Sequence, residues 1–230
     1  MTERSMYAGQ SPTVIVKGGA SVSVRGRETE LVSASTSDRW GLKIEKHSER
    51  EIGRARAAIG EHVLFDVHLK RPKREPDGSE QEVIEVQVGG NGEVVVPLDA
   101  HLKVYAGEDI HVEGVRGIVD AYAGRHIRLL DVRCLGNASA GGSMDLACET
   151  MLGTNVEFKA GRDLRFAIQD LDNAIVHVRD LGGYWEARIG SGEKKVSLKC
   201  GGDVTLVTPQ KVEALPPNYV LGKIEKPSIS

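Results

Sequence analysis

The sequence predicts an all-β protein: a single-stranded β-solenoid (β-helix) with coils of about 17–20 residues, preceded by an N-terminal β layer that caps one end. A glycine recurs through the second half of the chain at spacings of 17, 17, 20 and 40 residues. Apolar and polar residues alternate on both sides of it, as two strands joined by a corner require. The 27 glycines and 8 prolines lack a collagen triplet and suit many tight turns. The predicted corner glycines are Gly107, Gly124, Gly141, Gly161 and Gly201.

Apolar residues stand at fixed offsets from these glycines, five and three positions before and three and five positions after. Alternate residues of a strand share one side, so these positions are predicted to point inward and to stack from coil to coil. The predicted core columns contain Val104, Ile110, Val112, Val119, Ile127, Leu129, Met144, Leu146, Val156, Phe158, Leu164, Phe166, Val196, Leu198, Val204 and Leu206.

The residues next to each glycine also follow a pattern. Alanine or cysteine precedes it, which suits a place where two strands converge, and the glycine itself is predicted to supply the backbone freedom of a tight corner. A mostly polar column follows two positions later, with short side chains that can bond turn amides. Its members are Asp109, His126, Ser143, Asp163 and Asp203.

The doubled gap between Gly161 and Gly201 predicts one coil with a damaged signature near residues 174–190. Gly182 and Gly183 would form its corner, and a bulge would absorb a slip of one residue. Trp185 is expected to plug an end or a widened section of the core. Six coils at about 4.8 Å each would stack to roughly 25–30 Å.

The predicted organisation has four parts: an N-terminal tail (1–12), a β layer continuous with the solenoid (13–98), the repeats (99–207) and a proline-containing tail (208–230). The β layer lacks an evident glycine register and is expected to cover the first coil, whose bare edge would invite association. Its predicted strands are Thr13–Val16, Ser21–Val24, Trp40–Glu45, His62–Leu69, Glu82–Val88 and Glu93–Leu98.

Three segments stand outside this pattern. Lys70–Glu80 reads as a protruding hairpin loop; its four basic residues could meet an acidic partner, but the acidic residues that follow favour a solvated loop. Ser48–Gly60 is either a short helix or an irregular crossing. The C-terminal tail either docks along the rod, stays partly loose or is handed to a neighbour.

Composition excludes several functions. A net charge of −3 and an aromatic content of 4% argue against nucleic-acid binding. No apolar stretch approaches the roughly 18 residues that cross a bilayer, so no membrane insertion is expected. No secretory signal is visible, which predicts a cytoplasmic protein, or an exported one if a signal has been removed.

No catalytic, cofactor-binding or metal-binding residue is predicted. The seven histidines form no HxxH or HExxH pattern, and the aspartates of the polar column are interrupted by His126 and Ser143, which favours turn caps over calcium ligands. The three cysteines form no CxxC pair and read as buried packing residues. The nucleophile-elbow and phosphate-loop motifs are also missing.

The run from Val94 to Gly124 resembles the bacterial putative-adhesin family, a widespread β-solenoid domain of unknown function in which a Val-Pro strand leads into repeated Gly-Asp-apolar coils. The resemblance extends to about Val207, and many members of that family look exported or membrane-tethered. The matching positions are structural, so the resemblance implies a β-solenoid and no catalytic residue. They are Pro97, Leu102, Gly107, Ile110, Val112, Gly114 and Gly117.

These observations favour a non-enzymatic structural or protein-interaction module, an adhesin-like solenoid with a rigid surface for self-assembly or partner binding. The expected partners are a second copy, bound through the solenoid ends or faces, or an unidentified protein. A bactofilin-like cytoskeletal filament subunit is one alternative, because a solenoid with open ends can stack. A carbohydrate-binding or carbohydrate-acting β-helix is the other.

Overall fold

The computed structural model describes residues 2–37, 41–48, 82–151, 155–171, 174–180, 183–189 and 192–209. These residues contain strands and no helix, so the predicted all-β class is confirmed. The strands are β1 (Thr2–Tyr7), β2 (Thr13–Gly18), β3 (Val22–Arg27), β4 (Leu31–Thr36), β5 (Leu42–Ser48), β6 (Glu82–Val88), β7 (Gly92–Pro97), β8 (His101–Ala106), β9 (Ile110–Glu113), β10 (Ile118–Ala123), β11 (Ile127–Ala140), β12 (Met144–Met151), β13 (Asn155–Ala160), β14 (Leu164–Ile168), β15 (Ala174–Asp180), β16 (Gly183–Ile189), β17 (Lys194–Cys200) and β18 (Val204–Val207).

Most of these strands pair in two parallel ladders. The first ladder has the order β6–β2–β8–β10–β11–β13–β17–β15. The second ladder has the order β7–β3–β9–β11–β12–β14–β18. The long strand β11 belongs to both, because its beginning pairs with β9 and its end with β10 and β13.

Antiparallel strands lie at the ends of the ladders. β5 pairs with β6, and β4 pairs with β7 and carries β1 on its other side. At the opposite end, β16 pairs with β15. The parallel register is therefore flanked by strands that run in the other direction.

The register brings equivalent positions of successive sequence repeats together. In the second ladder, Ile110 pairs with Ile127, Ile127 with Met144, Met144 with Leu164, and Leu164 with Val204. All sixteen residues of the predicted columns are buried. Alternation of buried and exposed residues along each strand thus produces one continuous apolar interior between the two ladders.

The corner glycines also stack, and the reason for glycine differs from the prediction. None of the five corner glycines has a positive φ among the described residues; the glycines that do are Gly9, Gly41, Gly114 and Gly192. A Cβ atom added at each corner glycine would instead lie closer than 3.0 Å to the carbonyl oxygen of the preceding glycine of the stack. Close approach between backbones, and not a left-handed conformation, therefore excludes a side chain here.

The N-terminal region extends this glycine stack, contrary to the prediction that it lacks the register. Gly19 lies against Gly89 on one side and Gly107 on the other. β2 lies between β6 and β8, and β3 lies between β7 and β9. The strands β6 and β7 are therefore neighbours of β2 and β3 in space, although they come much later in the sequence. In the described part of the chain seven strand pairs are stacked, each with a glycine corner, in the order Gly89, Gly19, Gly107, Gly124, Gly141, Gly161 and Gly201.

The predicted damaged coil near residues 174–190 is wrong. β13 pairs directly with β17 and β14 directly with β18, so no coil separates Gly161 from Gly201. Among the described residues between them, β15 and β16 form an antiparallel pair, and β15 adds to β17 at the end of the first ladder. Period-two alternation is the same in a hairpin and in a coil, which explains the error.

Several predictions fall on residues that lie outside the described ranges. They concern the strand His62–Leu69, the loop Lys70–Glu80, nearly all of Ser48–Gly60, the C-terminal tail beyond residue 209 and the side chain of Trp185. Among the remaining predicted strands, Glu82–Val88 has the predicted bounds. β1 and β4 were not predicted.

Candidate functional site

The polar column beside the glycines joins one glycine corner to the next. Asp109 Oδ1 accepts a hydrogen bond from the His126 backbone amide at 3.1 Å, and His126 Nδ1 accepts one from the Ser143 amide at 3.0 Å. Asp163 Oδ1 likewise accepts from the Asp203 amide at 3.1 Å. These side chains satisfy backbone donors of the neighbouring corner. The predicted turn-capping role thus extends between coils.

A second polar column lies on the outer side of the first ladder. Asp120 Oδ1 accepts from the Asn137 amide at 2.7 Å, and Asn137 Oδ1 accepts from the Glu157 amide at 3.1 Å. His101 Nδ1 accepts from the Ile118 amide at 3.1 Å. These side chains are therefore occupied by structural hydrogen bonds.

Arg125 forms ion pairs with two carboxylates at the neighbouring glycine corner. Its Nη2 atom lies 2.8 Å from Asp109 Oδ2 and 3.3 Å from Glu108 Oε2. The hydrogen bond from Arg125 holds the pKa of the Asp109 carboxyl below its usual range, and the amide of His126 lowers that pKa further. The carboxylate is thus favoured in the folded protein.

We expect Arg125→Gln to raise the pKa of Asp109 towards its ordinary value, because the neutral amide no longer favours the carboxylate. The pKa of Asp109 is lower in the folded protein than in the unfolded chain. The ionised carboxylate therefore stabilises the fold at pH values above the unfolded-state pKa, and this contribution is lost as the pH falls through the folded-state pKa. A carbon-detected NMR titration of the Asp109 carboxyl in both proteins measures this. An unchanged pKa in Arg125→Gln would contradict the assigned cause.

The cysteines and histidines show no reactive arrangement in the described residues. Cys134, Cys148 and Cys200 are free and buried, and burial raises the pKa of the first two thiols, which disfavours the nucleophilic thiolate. No group of three or more His, Cys, Asp or Glu side chains is placed to hold a metal ion within the described ranges. His62 and His68 lie outside them.

A polar groove of about 400 Å³ lies at the second corner of the coils, where β3 and β9 end. We call it the arginine groove. Four guanidinium side chains line it, together with three carboxylates from neighbouring coils. The arginines are Arg25, Arg27, Arg116 and Arg133, and the carboxylates are Glu113, Asp131 and Glu149.

Stacking of the coils brings these residues together. Arg25 on β3 pairs with Glu113 on β9, and Glu113 pairs with Leu130 on β11. The next position in each coil is Gly26, Gly114 and Asp131, respectively. Asp131 has a φ of 50°, which is uncommon for a residue with a side chain, and lies at the bulge where β11 shifts its pairing with β12.

The charges of the arginine groove are not neutralised by direct pairing. In the part of the chain that the structure describes, none of its four arginines forms an ion pair within 4.0 Å of a carboxylate. All four side chains are exposed. The guanidinium donors are therefore accessible to a ligand from solvent.

Sequence reasoning missed the arginine groove, although a signal was present. Arg116 and Arg133 both stand nine positions after a corner glycine, Gly107 and Gly124. Extending the alignment of coils to that offset would have shown two arginines in one column. Arg25 and Arg27 could not be added, because the sequence does not reveal that β3 stacks on β9.

The fold and the groove define a repetitive all-β protein with polar columns along its stacked strands. No family model and no curated protein matches the chain. A crystal structure of a putative cell adhesion protein from Clostridium sporogenes has a TM-score of 0.41 and 8% sequence identity, with 90% of this chain and 99% of that chain covered. A similarity this low establishes neither a family nor a function. In the described residues no helix is long and apolar enough to span a membrane.

Proposed function

We propose that the chain is a single-stranded β-solenoid that serves as a non-enzymatic interaction module, related to the adhesin-like domains that its repeats resemble. The repeated register of the two parallel ladders supports this proposal most directly. Each described coil is fixed to its neighbours by backbone pairs, stacked glycines and buried columns. Such a body is rigid and presents a fixed surface to a partner.

The distribution of polar groups supports a non-enzymatic role. Corner side chains that could carry chemistry, such as Asp109 and His126, accept bonds from the next coil. The described residues that line the arginine groove include no serine, cysteine or histidine and no aromatic ring. This composition suits recognition of charge better than nucleophilic catalysis or stacking on a sugar.

The ends of the ladders favour a finite assembly over the filament alternative. Head-to-tail stacking that continues the parallel register requires a parallel edge at both ends, but β4, β1 and β5 are antiparallel at one end and β16 at the other. Among the described strands, β18 pairs with β14 only. A second copy or a partner strand could pair at that edge without propagating further.

Sedimentation velocity over a wide concentration range tests this proposal. We expect a discrete oligomer to form as the concentration rises, and negative-stain micrographs of the same samples to show separate particles. Filaments in these micrographs would support the cytoskeletal alternative. A strictly monomeric protein that captures no partner in a pull-down would contradict the proposal.

A further inference from the structure

We propose that the arginine groove binds an acidic peptide segment of a partner protein. This inference rests on the proposed role as an interaction module and names the chemistry of its partner. The groove gathers four arginines from stacked strands around a shared opening. Arginine presents a planar fork of N–H donors that matches the two oxygens of a carboxylate.

The groove arginines have donors available for a ligand. Some exposed basic side chains on the described surface are paired, as Arg165 is with Asp145 at 2.9 Å and Lys17 with Glu85 at 2.8 Å, and others, such as Arg162 and Arg179, are not. The groove arginines make no ion pair within the described ranges, although three carboxylates line the same opening. Their donors are thus available to carboxylates supplied from outside.

The carboxylates of the groove restrict the kind of anion. Four arginines and three carboxylates leave a net charge of four minus three, or +1. A densely charged polyanion such as a nucleic acid would place many like charges beside Glu113, Asp131 and Glu149. A peptide instead alternates acidic side chains with neutral amides, whose N–H groups can donate to these carboxylates.

The dimensions of the groove suit an extended peptide. Its lining comes from β3, β9, β11 and β12, which are successive strands of the second ladder. Three steps of about 4.8 Å give a length of about 14 Å, which about four extended residues would span. Since no aromatic side chain lines the described groove, a sugar ring has no stacking surface there.

Fluorescence anisotropy with labelled octapeptides at low ionic strength tests the inference. The probes are a Glu-Ser repeat, a Gln-Ser repeat and a Lys-Ser repeat. We expect only the Glu-Ser peptide to bind, and added salt to weaken that binding. The double variant Arg116→Gln/Arg133→Gln should bind at least about tenfold more weakly, because two charge-assisted contacts are lost.

Two further variants make the test specific to the groove. Arg179→Gln removes an exposed arginine on β15, outside the groove, and should leave the affinity for the Glu-Ser peptide unchanged. Glu113→Gln removes a repelling carboxylate from the groove and should tighten binding by about two- to fivefold. A gain of affinity cannot result from misfolding.

Three outcomes would overturn the inference. The first is that the Glu-Ser peptide does not bind at low salt, and the second is that Arg179→Gln weakens its binding as much as Arg116→Gln/Arg133→Gln does. The third is that a uronate oligosaccharide of the same charge binds more tightly than the Glu-Ser peptide, which would indicate an acidic glycan site. None of these outcomes alters the oligomeric state measured by sedimentation, so the proposed interaction module is tested separately.

Discussion

Gly124→Ala is expected to destabilise the protein by about 3 kcal/mol or more. The added Cβ atom would lie closer than 3.0 Å to the carbonyl oxygen of Gly107 in the coil beneath. That oxygen belongs to the backbone of a packed stack and cannot rotate away. The two corners would have to separate, which strains the hydrogen bond from the Gly124 amide to the Ala106 carbonyl, 3.1 Å long in the native protein. Urea denaturation followed by circular dichroism measures the loss.

Gly9→Ala provides the matched control for this prediction. Gly9 has a positive φ of 75°, but nothing lies within 4 Å of the position of an added Cβ. Its replacement should cost only about 1 kcal/mol, since a left-handed alanine is strained by about 1–2 kcal/mol and the unfolded chain loses some freedom. If Gly9→Ala proved as damaging as Gly124→Ala, close stacking of the corners would not be the reason for glycine.

The stacked corners were predictable from the sequence because this chain repeats the same residue pattern at nearly constant spacing. Every coil needs an apolar residue at the same offset, so the columns from Ile110 to Val204 can be aligned without coordinates. The cause of the glycine requirement could not be predicted in this way. A tight turn and a close approach both select glycine, and only the positions of neighbouring backbones distinguish them.

The spacing of the glycines along the sequence could not predict the order in which their corners stack. Val14 and Val16 precede Gly19 at the same offsets as Ile84 and Val86 precede Gly89, so these corners carry the register too. However, Gly19 comes first in the sequence, whereas in the structure its strands lie between those that flank Gly89 and those that flank Gly107. Spacing along the sequence reveals neighbours only when coils are stacked in chain order.

The same limitation applies to the candidate site. The arginine groove combines residues from four strands, and two of its arginines reach it only because β3 lies beside β9. Motif searches depend on short spacing between chemical groups and could not detect such a set. Absence of a short-spaced motif therefore carried no information about a charged surface assembled by stacking.

Phe166→Ala is expected to cost about 3–5 kcal/mol, because it removes a large buried side chain from the interior of the stack. Phe166 is fully buried on β14, and its ring centroid lies 5.0 Å from that of Phe158 at an interplanar angle of 50°. Leu146 and Leu206 pair with it on the strands at either side. The surrounding coils are fixed by backbone hydrogen bonds, so they can collapse only partly into the cavity.

Arg165→Ala is the control, since Arg165 precedes Phe166 on the same strand and points outward. Its contact with Asp145 is an exposed ion pair, which contributes at most about 1 kcal/mol. Equilibrium denaturation should therefore separate the two variants clearly, and amide exchange should show that Phe166→Ala preferentially opens β18, which is paired through β14. Equal stability of the two variants would mean that the alternation of inward and outward residues on β14 has been assigned to the wrong sides.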